Sequence, residues 1–213
     1  MAVTDYEQLA QLVIAGDGEG AKRLTERLIA DAIPAREILD AGLLPGMEVV
    51  GRRMKAGEVF IPEVLLSART MQACLDLIKP HLAAGDSGSR GTIVIGTVEG
   101  DVHDIGKNLV AMMLEGAGFA VINVGTGISP AAFVSAVKEH KPDIIGMSGL
   151  LTTTIPKMAL TIAQLKEAGL RDAVKVIVGG APVTQRFADE IGADAYGPNA
   201  AAAVEVAKEL VSR

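Results

Sequence analysis

Cysteine is almost missing from this chain of 213 residues: Cys74 stands alone. One thiol cannot form a disulfide within the chain, and zinc sites built on paired cysteines are excluded. Histidine is limited to His81, His103 and His140, so a His-rich catalytic zinc centre is not expected. There is no tryptophan, and aromatic residues make up only 3% of the chain, too few for the stacking platforms that hold single-stranded nucleic acid. Positive charge is short as well. The 20 Lys and Arg against 26 Asp and Glu leave a formal net charge of −6 with no basic cluster, which makes nucleic acid and anionic membranes poor partners. No apolar run reaches the roughly 18–20 residues of a membrane span. The stretch Met1-Ala2-Val3-Thr4-Asp5-Tyr6-Glu7 has neither the basic nor the apolar region of a signal peptide, and a cytoplasmic location is expected.

What is abundant is apolar residue, at 49%, in patterns that change along the chain. Residues 4 to about 83 repeat at helical spacing. Tyr6, Leu9, Ala10, Val13 and Ile14 follow a candidate N-cap at Thr4, and Gly16-Asp17-Gly18 ends that helix. Ala21, Leu24, Leu28 and Ile29 mark a second. Pro34 opens a third carrying Ile38, Leu39, Leu43, Met47 and Val50, which Pro45-Gly46 should kink. After a turn at Lys55-Ala56-Gly57-Glu58, Pro62 starts a fourth through Val64, Ala68, Met71, Leu75 and Ile78. The expectation is a four-helix bundle. The stretch Ala84-Gly85-Asp86-Ser87-Gly88-Ser89-Arg90-Gly91 is small, polar and Gly-rich and reads as a flexible boundary. The expected division is a helical cap domain over 1–85, a linker over 86–91 and a second domain over 92–213.

In the second domain β-branched apolar runs alternate with helical patterns. Strands are expected at 92–98, 120–124, 143–147, 174–178 and 193–196, and helices near 105–116, 130–140, 154–168, 183–191 and 199–212. Strands apolar on both faces, separated by helices, imply a parallel sheet covered on both sides. Five such units fit a flavodoxin-like, doubly wound α/β order of 2-1-3-4-5, with a switch point between strands one and three. Ligands bind at that edge. It would bring the loop after the first strand, Gly100-Asp101-Val102-His103-Asp104-Ile105-Gly106-Lys107-Asn108, beside the loop after the third, Ser148 to Thr154.

Several familiar motifs fail here. Gly100 to Gly106-Lys107-Asn108 is one residue too long for a P-loop and has Asn where a magnesium-binding hydroxyl belongs. Gly125-Thr126-Gly127 lacks the third glycine of a dinucleotide fingerprint, and Gly146-Met147-Ser148-Gly149-Leu150 is not a nucleophile elbow. No oriented nucleophile accompanies the Asp–His pair, which argues against hydrolysis. His103 can be a metal ligand, and Asp101, two residues earlier, can accept its second ring N–H and fix the tautomer. One such His facing hydroxyls suits a single axial bond to a metal that brings its other ligands with it, as a tetrapyrrole-type cofactor does. Gly106, Gly149, Gly179 and Gly180 at strand ends would let a bulky ligand approach the backbone. Simpler readings stand beside these. Asp104 can be only an N-cap, Thr152 and Thr153 only caps of the next helix, Gly179 and Gly180 only turn glycines, and Met54 and Ile61 only bundle core. Cys74, spaced with Met71, Leu75 and Ile78, reads as a buried packing residue.

Asp101-x-His103-x-x-Gly106, then Ser148-x-Leu150, then Gly179-Gly180, resembles the D-x-H-x-x-G…S-x-L…G-G signature of cobalamin-binding domains. The stretch Gly51 to Val64 resembles the cap-helix motif of methionine synthase and of the small corrinoid proteins of methyltransferase systems. The resemblance implies that His103 coordinates cobalt in place of the cofactor's own lower base. It implies that Asp101 bonds the other ring nitrogen, and that a hydroxyl aligned at Thr154 bonds Asp101. The nucleotide tail would run past Ser148, Leu150, Thr152, Gly179 and Gly180 towards Tyr196 and Ala200, with Val102 and Asp104 also at the cofactor. Met54 and Ile61 align with the cap positions over the methyl face. Methionine synthase has Phe and Leu at these two, so Met54 departs from its pattern.

The function so implied is a methyl carrier, non-catalytic alone, holding methylcobalamin or cob(I)alamin. A substrate:corrinoid methyltransferase would load it, a corrinoid:acceptor methyltransferase acting on a thiol or tetrahydrofolate would unload it, and a reductive activase would rescue oxidised cobalt. A cobalamin-responsive sensor is the alternative, but that reading asks for an output domain such as a basic helix-turn-helix. The cobalamin subunit of a mutase is a third, and the matched cap stretch argues against it.

Overall fold

The computed structural model describes residues 2–81 and 89–212. The chain falls into two compact units. One runs to Ser89 and includes Met112–Gly118; the other comprises Arg90–Ala111 and Phe119–Arg213. Most of the expected linker, 86–88 in particular, lies outside the described residues.

The first unit is helical. Helix α1, Ala2–Ala15, places Leu9 and Val13 on one buried stripe. Gly16, in the left-handed region at φ +71°, reverses the chain, and Asp17 caps α2, Gly18–Ala30, by accepting from Gly20 N at 2.9 Å. Pro34 leads into α3, Ala35–Glu37, followed by a π-helical segment, Ile38–Leu43, and α4, Leu44–Lys55. The irregularity expected at Pro45-Gly46 therefore falls one turn earlier. Proline has no N–H to return to the preceding turn, so the helix widens ahead of it, with Leu44 N donating to Leu39 O. Helix α5, Ile61–Ile78, starts with Pro62 in its first turn and with Phe60 N donating to Glu63 Oε2 at 2.7 Å. Leu9, Val13, Ile38, Leu39, Leu43, Met71, Cys74 and Ile78 form the core of this unit.

The second unit is a five-stranded, all-parallel sheet in the order β2-β1-β3-β4-β5. Its strands are β1 (Thr92–Val98), β2 (Ala120–Ile128), β3 (Ile144–Ser148), β4 (Lys175–Gly179) and β5 (Ala195–Gly197). Helices α6 (Ile105–Gly116), α7 (Pro130–His140), α8 (Pro156–Glu167), α9 (Gln185–Ile191) and α10 (Ala200–Val211) connect and follow them. Side chains of Thr184 and Asn199 cap α9 and α10, and Ser129 caps α7. The central strands are buried on both faces: Val94, Ile145 and Val176 lie on one, where Phe133, Met158 and Ile162 pack onto them from the helices, and Ile93, Ile144 and Ile177 lie on the other. Strand β2 runs further than expected, through Gly125 and Gly127. Register shifts against β1 after Ile95 and Gly96 let it continue past those glycines. No helix among the described residues is long and apolar enough to cross a membrane.

Candidate cofactor site at the carboxyl edge of the sheet

The strand order puts the topological switch between β1 and β3, and the loops after these two strands meet there. Beyond β1 the chain turns at Gly100, φ +83°, and sends Asp101 inward. Asp101 is wholly buried, and its carboxylate is ringed by donors. Oδ1 accepts from His103 N at 3.0 Å and lies 2.8 Å from His103 Nδ1. Oδ2 accepts from Leu150 N at 2.6 Å and Leu151 N at 3.2 Å, and Thr154 Oγ1 sits 3.2 Å away. The single proton of Thr154 is shared with a second acceptor, Leu151 O at 2.9 Å. Burial alone would raise the carboxyl pKa. The hydrogen bonds from the backbone of His103 and Leu150, the His103 ring and the Leu151 backbone outweigh it and hold the group well below the ordinary carboxylate range.

An ionised Asp101 can only accept, so Nδ1 of His103 carries a proton, and in the neutral ring this leaves the lone pair on Nε2. Thr97, buried in β1, steadies the same residue from below through Oγ1 to His103 O at 3.0 Å. The His103 side chain is 50% exposed, and Nε2 has no partner among the described residues. The neighbours are apolar and open. Val102 is 76% exposed and Ile105 83%, and Leu150 and Leu151 are also exposed. A Cβ built on Gly106 would meet nothing within 4 Å. A buried anion, a locked imidazole, one outward lone pair, and solvated aliphatic side chains beside an open glycine fit a broad ligand bringing a metal to Nε2. No group of three or more His, Cys, Asp or Glu that could hold a bare ion occurs among the described residues.

The other expected residues spread along the edge. Thr97, Ser148, Gly179 and Gly197 pair in register, so they form one row across β1, β3, β4 and β5. Thr152 is exposed on the β3–α8 loop, Tyr196 packs partly against the sheet core, and Ala200 is buried at the start of α10. Glycine at 179 and 180 is required by the protein itself. A Cβ on Gly179 would lie 2.8 Å from Gly197 O, and one on Gly180, whose φ is +127°, would run into Gly149 O. Asp104 starts α6 through its carbonyl, which accepts from Asn108 N at 2.7 Å; its carboxylate accepts from Asn108 Nδ2 at 3.0 Å. On the helical unit, Met54 is half-buried and Ile61 is 48% exposed beside the exposed Phe60, and neither belongs to that unit's core.

Two features of the site escaped the sequence. The Leu150 and Leu151 N–H groups that hold Asp101 are backbone and leave no mark in residue type. Lys107, which looked like the lysine of a failed P-loop, is buried in the first turn of α6. Its Nζ donates to Asn108 Oδ1 and Asn123 Oδ1, both at 2.7 Å. Burial pushes its pKa below the ordinary lysine value, with Asp104 acting in the opposite direction.

Fold and edge together define a doubly wound α/β ligand-binding protein with a helical N-terminal unit. The chain belongs to the B12-binding family and is a small corrinoid-binding protein: the B12 binding domain model matches residues 91–205, and a second model of that description matches 5–79. It is 42% identical to a corrinoid protein of Desulfitobacterium hafniense over the full length of both chains. It is 45% identical to the dimethylamine corrinoid protein of Methanosarcina barkeri, over 97% of each. Among solved structures it matches a chain of the methanol:cobalamin methyltransferase complex from Methanosarcina barkeri with a TM-score of 0.89 and 27% identity, covering 100% of this chain and 81% of that one.

Proposed function

We propose that this protein carries methyl groups: it receives a methyl from a substrate-specific methyltransferase and presents it to a second methyltransferase whose acceptor is a thiol or tetrahydrofolate. The bound corrinoid supplies the chemistry, its cobalt alternating between the methylcobalamin and cob(I)alamin states. The names of its relatives and the complex in which its structural match occurs support this reading. So does one observation above all, the outward lone pair of His103 Nε2 behind an Nδ1 locked by Asp101.

In this reading His103 would be the residue that ligates cobalt, and the protein's own part is to hold that imidazole in place. Asp101 accepts a hydrogen bond from Nδ1 and so holds the ring in one orientation, turned to the edge. Leu150 N, Leu151 N and Thr154 keep Asp101 ionised and immobile. Val102, Asp104 and the space beside Gly106 flank the cofactor. Ser148, Leu150, Thr152, Gly179, Gly180, Tyr196 and Ala200 would line the run of its tail. The partners are methyltransferases, with a reductive activase to return oxidised cobalt to the cycle.

Electron paramagnetic resonance of the cob(II)alamin-loaded protein tests the reading. Wild type should show splitting from one axial nitrogen that changes on ¹⁵N-histidine labelling, and His103→Ala should lose it. Identical spectra from the two proteins would refute the assignment.

A further inference from the structure

Lys107 is a lysine in a costly place. It is 3% exposed, and none of the described residues offers it a carboxylate within ion-pair distance. It also lies in the first turn of α6, where the helix dipole opposes a positive charge. An apolar side chain of the same length would avoid both penalties. What the ammonium does is gather two side-chain oxygens from two elements, Asn108 of α6 and Asn123 of β2.

Each amide is thereby oriented. With Asn108 Oδ1 turned to Lys107, and also accepting from Asn123 Nδ2 at 3.1 Å, Asn108 Nδ2 must point away, to Asp104 Oδ2 at 3.0 Å. Asp104 is the residue after His103. With Asn123 Oδ1 turned to Lys107, the same oxygen takes Gly125 N at 3.1 Å, which fixes the end of β2. There Gly127 N donates to Asp101 O at 3.0 Å. The loop bearing His103 is therefore tied on both sides, at residues 101 and 104, through contacts that converge on one buried cation.

We infer that Lys107 is a positioning residue for the axial ligand: its ammonium orients Asn108 and Asn123, and through them holds the Asp101–Asp104 loop in the geometry that aims His103 Nε2 at cobalt. The inference rests on the reading of His103 as axial ligand and goes beyond it, since Lys107 itself has almost no surface with which to touch a ligand.

The test uses ¹⁵N-histidine-labelled protein, full length and loaded with cob(II)alamin, as wild type, Lys107→Met and Asn108→Ala. Lys107→Met keeps the length and removes the charge and donors. Asn108→Ala leaves the ammonium in place but removes the tie to Asp104, together with the oxygen that accepts from Lys107 and Asn123, at a half-buried position. Both variants should melt as cooperatively as wild type without cofactor. In both, the ratio of nitrogen-ligated to unligated cobalt should fall about threefold to tenfold, the change in equilibrium constant expected of one lost hydrogen bond. A folded variant that keeps the wild-type nitrogen-ligated fraction would overturn the inference. If Lys107→Met fails to fold, Asn108→Ala decides. If wild type itself lacks histidine nitrogen on cobalt, the axial reading falls first, a result separate from any difference among the variants.

Discussion

Asp101 is useful because it stays ionised where it is buried. A carboxylate with no exposure survives only when its oxygens are saturated, and here five donor groups converge on it. Its folded pKa is depressed below the roughly 3.9 of an unfolded Asp. The stability it contributes is therefore fully present above the unfolded value and is lost as pH falls towards the folded one. Asp101→Asn should cost about 1.5–3 kcal/mol at neutral pH, the range for hydrogen bonds to a charged group. Urea titrations of the cofactor-free proteins at pH 7 and pH 3 should show that cost shrinking on acidification; an unchanged cost would mean that the carboxylate is not the group responsible. The Asp–His pair was legible because a spacing of two residues on a loop after an apolar strand suggests little else. The donors from 150 and 151 were not, because any residue type supplies an N–H. Lys107 had no role legible in the sequence for a related reason: its partners, Asn108 on α6 and Asn123 on β2, meet only once the chain is folded.

At the scale of elements, glycines separate what the fold needs from what a ligand needs. The sequence grouped Gly106 with Gly179 and Gly180 as places of close approach. The structure divides them. Gly180 sits at φ +127° against the backbone of Gly149, so Gly180→Ala strains the β3–β4 edge and should destabilise the cofactor-free protein by about 1–3 kcal/mol. Gly106 faces open space in the first turn of a helix, where alanine is the better residue by about 0.5–1 kcal/mol. Gly106→Ala should therefore leave the cofactor-free protein as stable or slightly more so, yet weaken cobalamin binding in an absorbance titration. Equal cobalamin affinity in wild type and Gly106→Ala would remove this glycine from the site. Element identity was readable from periodicity, since buried parallel strands are continuous β-branched runs and bundle helices repeat at 3–4 residues. What was not readable was local accommodation. The π-helical segment Ile38–Leu43 relieves Pro45 from a distance, and β2 keeps its pairing with β1 past two glycines by carrying extra residues at each register shift. Both depend on the neighbour rather than on the segment itself.

Over the whole molecule, the sequence offers a single thiol, and the fold encloses it. Cys74 is fully buried in the core of the helical unit, and burial pushes its thiol pKa up, against smaller opposing effects of Thr25 and Lys22. A thiol must be ionised and reachable to take a methyl group, so this chain cannot serve as its own acceptor. Under the proposed function, delivery then falls to a second protein that brings an activated thiol or folate to the cofactor. The methyl-loaded protein, incubated with a free thiol, should keep its methyl until a corrinoid:acceptor methyltransferase is added. Peptide mass spectrometry should find Cys74 unmethylated throughout. Cys74→Ala should deliver methyl groups at the wild-type rate, while in the native protein alkylation of Cys74 by iodoacetamide should proceed only as fast as the helical unit opens. Methylated Cys74, or rapid loss of the methyl to free thiol without the partner, would mean that the chain performs the transfer it is proposed only to carry.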